Sequence, residues 1–222
     1  MMNNLFSSFD PTTNMMLSLN WISTSLGLFM MPLKFWTLPN RIMLIMKTIM
    51  TKLHLEFKML LKSESKGLSL MMITIFMFIL TNNVMGLLPY IFTSSSHLIY
   101  TLSLALPLWL ACMTFGWLNN TKHMLAHMVP LGTPTLLTPF MVMIETISNI
   151  IRPSSLAVRL TANMIAGHLL MSLLGNNSTS SSTLALTIIM MIQVMLMMFE
   201  MAVSLIQAYV FSVLSTLYSS EV

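Results

Sequence analysis

Of the 222 residues, 56% are hydrophobic and only 7% are charged, with a formal net charge of +4. Soluble domains carry about 25% charged residues, so a soluble fold is excluded, and no polar stretch is long enough for a second, soluble domain. Several apolar runs exceed the ~18 residues that mark a spanning helix, without the apolar–polar alternation of barrel strands. A single cysteine, Cys112, rules out an internal disulfide and two-cysteine metal motifs.

The expected architecture is a single all-α membrane domain over residues 1–222. The first thirteen residues are polar and end in a turn at Asp10-Pro11. No basic n-region or Arg-rich presequence opens the chain, so no cleaved targeting segment is expected. The 27 methionines suit an organelle code that reads an isoleucine codon as Met, which implies a mitochondrial gene. Residues 14–31 form the first candidate span, and Pro32 and Pro39 bracket a connector.

Seven of the ten basic residues lie between Pro32 and Gly67. Over residues 41–62 the helical period places Lys47, Thr51, His54, Lys58 and Lys62 on one face. Ile42, Met46, Ile49, Leu53, Phe57 and Leu60 share the opposite one. That is an interfacial amphipathic helix. Lys52 and Glu56 are spaced to pair at i,i+4. The positive-inside rule puts this helix on the matrix or cytoplasmic surface. Residues 68–88 and 97–117 then form a two-span hairpin, with residues 89–96 as a short outer loop and Lys122 returned to the basic side. Asn82 and Asn83, late in the first of these spans, are expected to hydrogen-bond between helices. His123 and His127 share a helix face, but two ligands without a third make a weak metal signal, and no metal site is expected.

Two long segments follow, residues 134–174 and 183–218. As helices they would run ~60 Å and ~54 Å, against a hydrocarbon core of ~30 Å. Either both are steeply slanted, or the first breaks at Arg152-Pro153. The stretch GNNSTSSS, residues 175–182, is expected to be a polar turn between them.

The polar residues of these segments form stripes. With Arg159 as zero at 100° per residue, Asn163 falls at about 40°, Ser155 at about −40°, Arg152 at about 20° and Glu145 at about 40°, while His168 lies on the back. On the last segment Gln193, Glu200 and Gln207 recur every seven residues, with Ser204 between. Two such stripes on antiparallel helices can enclose a hydrated path. Packing alone accounts poorly for Arg159 and Glu200, because each charge at the membrane centre costs ~2.5–3.5 kcal/mol even on lenient scales. A mutual Arg159–Glu200 salt bridge is the main structural alternative. Glu and His can relay protons once burial tunes them. Arginine keeps its charge, so it acts as a block to protons or as counter-ion to a carboxylate on a second subunit.

The stretch IETISNIIRPSSLAVRLTANMIAGHLL (144–170) closely resembles subunit a of F-type ATP synthase in its mitochondrial, animal-like form. So does FEMAVSLIQAYVFSVLSTLY (199–218), with support from NNVMGLLPYIFTSSSH (82–97) and LSLALPLWL (102–110). The resemblance implies a proton-conducting stator subunit facing a c-ring whose subunits each carry a membrane-embedded carboxylate, and two strongly tilted helices curving along that ring. It implies that Arg159 is the essential arginine, that His168 and Glu200 serve the outer half-channel, and that Glu145 serves the matrix-side one. Asn163 and Gln207 match polar groups along the path. It implies peripheral-stalk and small accessory membrane subunits as further partners, and a mitochondrial inner-membrane location with the N-terminus in the intermembrane space and the C-terminus in the matrix. No cofactor, nucleic acid or nucleotide site is expected; no P-loop glycine pattern is present, so the chain is not an enzyme by itself. A haem-carrying bundle and a secondary transporter with inverted repeats are the rival classes. The first lacks paired histidines across its spans and the second lacks matching halves.

Overall fold

The computed structural model describes residues 5–13, 17–29, 38–61, 67–129, 132, 134, 136–179 and 181–220. After 3-10 turns at Leu5–Phe9 and Leu19–Ile22 come helices α1 (Ser23–Phe29), α2 (Arg41–Leu60), α3 (Leu68–Gly86), α4 (Leu98–Asn119), α5 (Thr121–His127), α6 (Thr138–Thr179) and α7 (Thr183–Ser220). The described residues contain no strand. Among the described residues four helices, α3, α4, α6 and α7, are long and apolar enough to cross a membrane.

The two long helices form the centre. They run antiparallel, because Asn163 of α6 meets Gln207 of α7 while Gly167 meets Glu200 and Arg152 meets Tyr218. α3 lies along α7 and α4 along α6, so consecutive spans pack on the long pair more than on each other. A hydrogen bond from Asn82 Nδ2 to Tyr100 Oη (2.8 Å) still links α3 to α4. Asn83, expected to do the same, is buried and neither of its amide atoms is hydrogen-bonded.

The core joins Phe57 of α2, Met72, Phe76 and Ile79 of α3, Ala105 of α4, Leu156, Ala157 and Leu160 of α6, and Ala208 and Phe211 of α7. Lipid is as apolar as these side chains, so close packing and hydrogen bonds hold such a bundle rather than escape from water. Small residues fit that requirement: Ala157, Ala208 and Ser212 are all completely buried where helices approach.

α2 is amphipathic as expected. Leu53 and Phe57 enter the core, while Lys47, Lys52, His54 and Lys58 are exposed. The Lys52–Glu56 pair does not form. Instead Glu56 Oε2 accepts a hydrogen bond from Tyr209 Oη (3.2 Å), tying α2 to α7. A tertiary partner has replaced a local pair worth only ~0.2–0.5 kcal/mol.

α6 passes through Pro153 without a break. With 42 and 38 residues, α6 and α7 are about 63 Å and 57 Å long, roughly twice the ~30 Å core. Proline removes the bond that its amide would give to the Asn149 carbonyl, and Pro153 is itself buried. The helix nonetheless continues through the proline rather than splitting into two spans there. The expected turn at residues 175–182 is mostly helix: α6 continues to Thr179. Ser178 Oγ and Thr179 Oγ1 donate to the carbonyls of Gly175 and Asn176 (2.6 and 2.8 Å), so the hydroxyls that suggested a turn serve the helix's last carbonyls instead.

Of the expected first span, residues 14–16 and 30–31 lie outside the described residues, and Leu19–Phe29 is a 3-10 turn followed by the two-turn α1. It is anchored to the loop between α3 and α4. Ser23 Oγ donates to the Phe92 carbonyl (3.2 Å), and Trp21 stands edge-on to Phe92 and against His97. α1 meets α3 at Gly27, where a Cβ would lie 2.7 Å from Thr81 Oγ1, so only glycine allows this approach.

Candidate functional site

Arg159 sits in the middle of α6 and points away from the bundle. Its neighbours at i−3, i−2, i+1 and i+2 (Leu156, Ala157, Leu160 and Thr161) are buried, whereas Val158, Arg159, Ala162, Asn163 and Ala166 are exposed. Alongside, α7 exposes Met201, Ala202, Leu205, Ile206 and Tyr209. Each helix thus leaves an exposed stripe that includes small residues, and Arg159 lies on that of α6. No ion pair forms between Arg159 and Glu200, and among the described residues Arg159 has no hydrogen-bond or ion-pair partner. The salt-bridge alternative is therefore not what this fold builds.

The polar stripe of α7 turns inward, toward α6. Asn163 Nδ2 donates to Gln207 Oε1 (3.2 Å), and Ser204 and Gln207 are buried in the bundle. Two turns away, Glu200 rests against the α6 backbone at Gly167: a Cβ there would lie 2.7 Å from Glu200 Cδ and 2.9 Å from Oε1. Any larger residue would push the carboxyl away. His168 follows Gly167 directly, with Phe9 of the Leu5–Phe9 turn edge-on to its ring at 6.1 Å between centroids.

Several polar atoms at this end are buried without a hydrogen bond: His168 Nε2, Glu200 Oε1, Gln207 Nε2, Ser95 Oγ and both amide atoms of Asn83. The loop and α3 reach α6 here, because a Cβ on Gly86 would touch Thr93 Cγ2 (3.1 Å) and Met164 Cε (3.5 Å). An unpaired buried polar group costs ~1–3 kcal/mol, so this end favours bound water.

Glu145 lies fourteen residues to the other side of Arg159, ~21 Å along the axis, whereas His168 is ~13 Å the opposite way. Arg152 Nη2 pairs with Glu145 Oε1 at 3.5 Å, across two turns of the same helix, and its guanidinium carbon lies 5.1 Å from the centroid of the Tyr218 ring. Both groups face a cavity of about 170 Å³ lined also by Trp109, Cys112, His127 and Asn149. A site holds a water once ~10–15 Å³ is open to it, so this cavity takes several. Polar groups thus flank a central cation on both sides, with a cavity large enough for several waters beside one of them.

The six residues singled out from sequence thus fall into three places. Arg159 is on the exposed stripe of α6, Asn163, Gln207, Glu200 and His168 are grouped toward one end, and Glu145 is at the other. Sequence reasoning missed Gly167, although it stands within the quoted motif; its role is visible only once α7 is laid against it. Phe9 and Tyr218 were also missed, because each acts through a partner more than sixty residues away. Among the described residues no group of three metal-ligating side chains comes together, and the rings of His123 and His127 meet edge to face at 4.5 Å.

A model of the family described as ATP synthase A chain matches residues 14–220. The chain is 60% identical over 225 residues to ATP synthase subunit a of Anopheles gambiae, and 60% identical over 223 residues to that of Drosophila melanogaster. The similarity to ATP synthase subunit a of Locusta migratoria is 58% over 224 residues; all three alignments cover 100% of both chains.

Proposed function

The chain belongs to the ATP synthase A chain family, and from that premise we propose that it is the proton-conducting stator subunit of a rotary F-type ATP synthase in the mitochondrial inner membrane. The exposed stripes of α6 and α7 meet a ring of subunits that each carry a buried carboxylate. Protons enter at the end marked by His168 and Glu200, reach a ring carboxylate, travel round with the ring and leave past Glu145. Asn163 and Gln207 line the path beside the arginine. The chain binds no nucleotide; synthesis of ATP belongs to other subunits, and the peripheral stalk and small accessory membrane subunits hold this one in place. With α2 on the matrix surface, the N-terminus faces the intermembrane space and the C-terminus the matrix, and the gene is mitochondrial.

One observation carries the reading: a permanent cation, exposed and unpaired, at mid-length of a membrane-embedded helix and between two polar ends. Among the described residues Arg159 has no partner, so on this reading its counter-ion comes from a ring subunit. A ring carboxylate 4 Å from the guanidinium would gain about 4 kcal/mol at an effective dielectric near 20, roughly a thousandfold preference for its ionised form. That preference releases the proton before the carboxylate passes. The same fixed charge repels a proton moving directly between the two ends, so flow requires rotation. The unpaired polar atoms around His168 and Glu200 are satisfied by water on this reading, and the cavity beside Glu145 supports hydration at the other end.

The test compares native complex with Arg159→Ala in reconstituted membrane sectors. ATP-driven pumping is expected to vanish while passive proton flux persists or rises, since a barrier has been removed. Arg159→Lys should rescue poorly, because a compact ammonium lacks the planar fork of guanidinium. Intact coupled pumping in Arg159→Ala would overturn the mechanism.

A further inference from the structure

α2 and α3 diverge into a groove that the proton path does not use. It encloses about 1080 Å³, with a floor that includes Met46, Ile73 and Met77 and a rim that carries Lys47 and His54. These two side chains are seven residues apart on one stripe of α2, and both are exposed. No acidic side chain lines the groove among the described residues.

Its extent matches one leaflet. The lining of α3 runs from Leu70 to Thr81, a rise of ~16 Å, about half of the ~30 Å hydrocarbon core. At Thr81 the groove ends, because α1 closes against α3 through Gly27. The lining also speaks against a protein helix as occupant. Helices in membranes associate through small residues and interhelical hydrogen bonds. Here the walls are bulky, and the hydroxyl of Thr74 is spent on the carbonyl of Met71 (2.7 Å). Methionines supply Met43, Met46, Met50 and Met77, and their flexible side chains conform to a chain without fixed shape.

We propose that this groove binds one anionic phospholipid of the leaflet adjoining α2, with its phosphate between Lys47 and His54 and its acyl chains between α2 and α3. Basic pockets beside membrane helices recruit such head groups, a lysine near the surface contributing about fivefold in occupancy, and the His54 ring adds an N–H donor. The site rests on the membrane reading of the chain and is independent of the roles given to Arg159, His168 and Glu200.

The intact ATP synthase complex would be reconstituted with a trace of phosphatidylglycerol or phosphatidylcholine bearing a photoactivatable group on one acyl chain, and the adducts mapped by mass spectrometry. Phosphatidylglycerol should label the groove walls, residues 43–50 and 70–78, at least fivefold more than phosphatidylcholine. The Lys47→Gln, His54→Gln double variant should lower its labelling to the phosphatidylcholine level, and Lys47→Arg should preserve it. Equal labelling of the native complex by both lipids would overturn the proposal in favour of ordinary boundary lipid. Absence of labelling by either would overturn it in favour of a partner chain covering the groove. Both of these outcomes are read on native complex, so they hold even if a variant fails to assemble.

Discussion

Replacing Gly167 by alanine separates the proton path from the stability of the fold. The new methyl carbon would lie 2.7 Å from Glu200 Cδ and 2.9 Å from Oε1, against an optimum of ~3.5–4.0 Å for carbon–carbon contact. The carboxyl must therefore recede by about 1 Å. Overpacking costs ~1–3 kcal/mol in a tight core, and the lower figure applies because Glu200 is an incompletely buried, flexible side chain. Alanine in place of glycine inside a helix returns ~0.5–1 kcal/mol, so net stability should hardly change. A reacting group misplaced by 1 Å can cost on the order of a hundredfold in rate. Proton flux through the assembled complex should accordingly fall by about tenfold to a hundredfold, while the yield of assembled complex stays level. Gly175→Ala is the control, since nothing lies within 4 Å of its would-be Cβ, and it should transport normally. Glu200→Asp in the Gly167→Ala background shortens the side chain by about one bond, ~1.5 Å, and should restore part of the flux. Normal flux in Gly167→Ala would refute the idea that the position of Glu200 against α6 matters.

Asn163 and Gln207 share one interhelical hydrogen bond; a double-mutant cycle with Asn163→Leu and Gln207→Leu should give a coupling of about 0.5–1.5 kcal/mol in thermal or denaturant stability of the membrane sector, and a coupling near zero would mean that the bond carries no weight. Phe9→Ala uncovers the His168 ring; carbethoxylation of His168, followed by peptide mass spectrometry, should accelerate severalfold, and an unchanged rate would show that Phe9 does not shield it. Tyr218→Leu removes the ring beneath Arg152, a contact worth about 0.5–1 kcal/mol at partly exposed sites; proton release should slow in Tyr218→Leu but not in Tyr218→Phe, and equal effects of both would assign the role to the hydroxyl rather than to the ring.

Much of the architecture is legible one segment at a time. The apolar runs of α3, α4, α6 and α7 declare themselves because a bilayer demands ~20 consecutive apolar residues whatever surrounds them. The amphipathic period of α2 does so because the interface sorts polar from apolar faces locally. Local signals misled where neighbours outvoted them. Pro153 left open a break that α6 does not have, and the hydroxyls of residues 178–182 read as a turn although two of them serve the end of a helix. Lys52 and Glu56 had the right spacing to pair, and Tyr209 took Glu56 instead.

By itself, then, the sequence determined that this is a membrane-embedded all-α chain with an arginine and a polar stripe where lipid would otherwise be, since transfer energies belong to residue types and need no neighbour. Only the tertiary structure decided that Arg159 faces outward, unpaired among the described residues, that Glu200 lies on Gly167, and that Arg152 joins Glu145 to Tyr218 beside a cavity. Those facts depend on the antiparallel register of α6 and α7 and on the helices behind them. Register is set by packing between surfaces distant in the chain, which a helical wheel drawn for one helix does not contain.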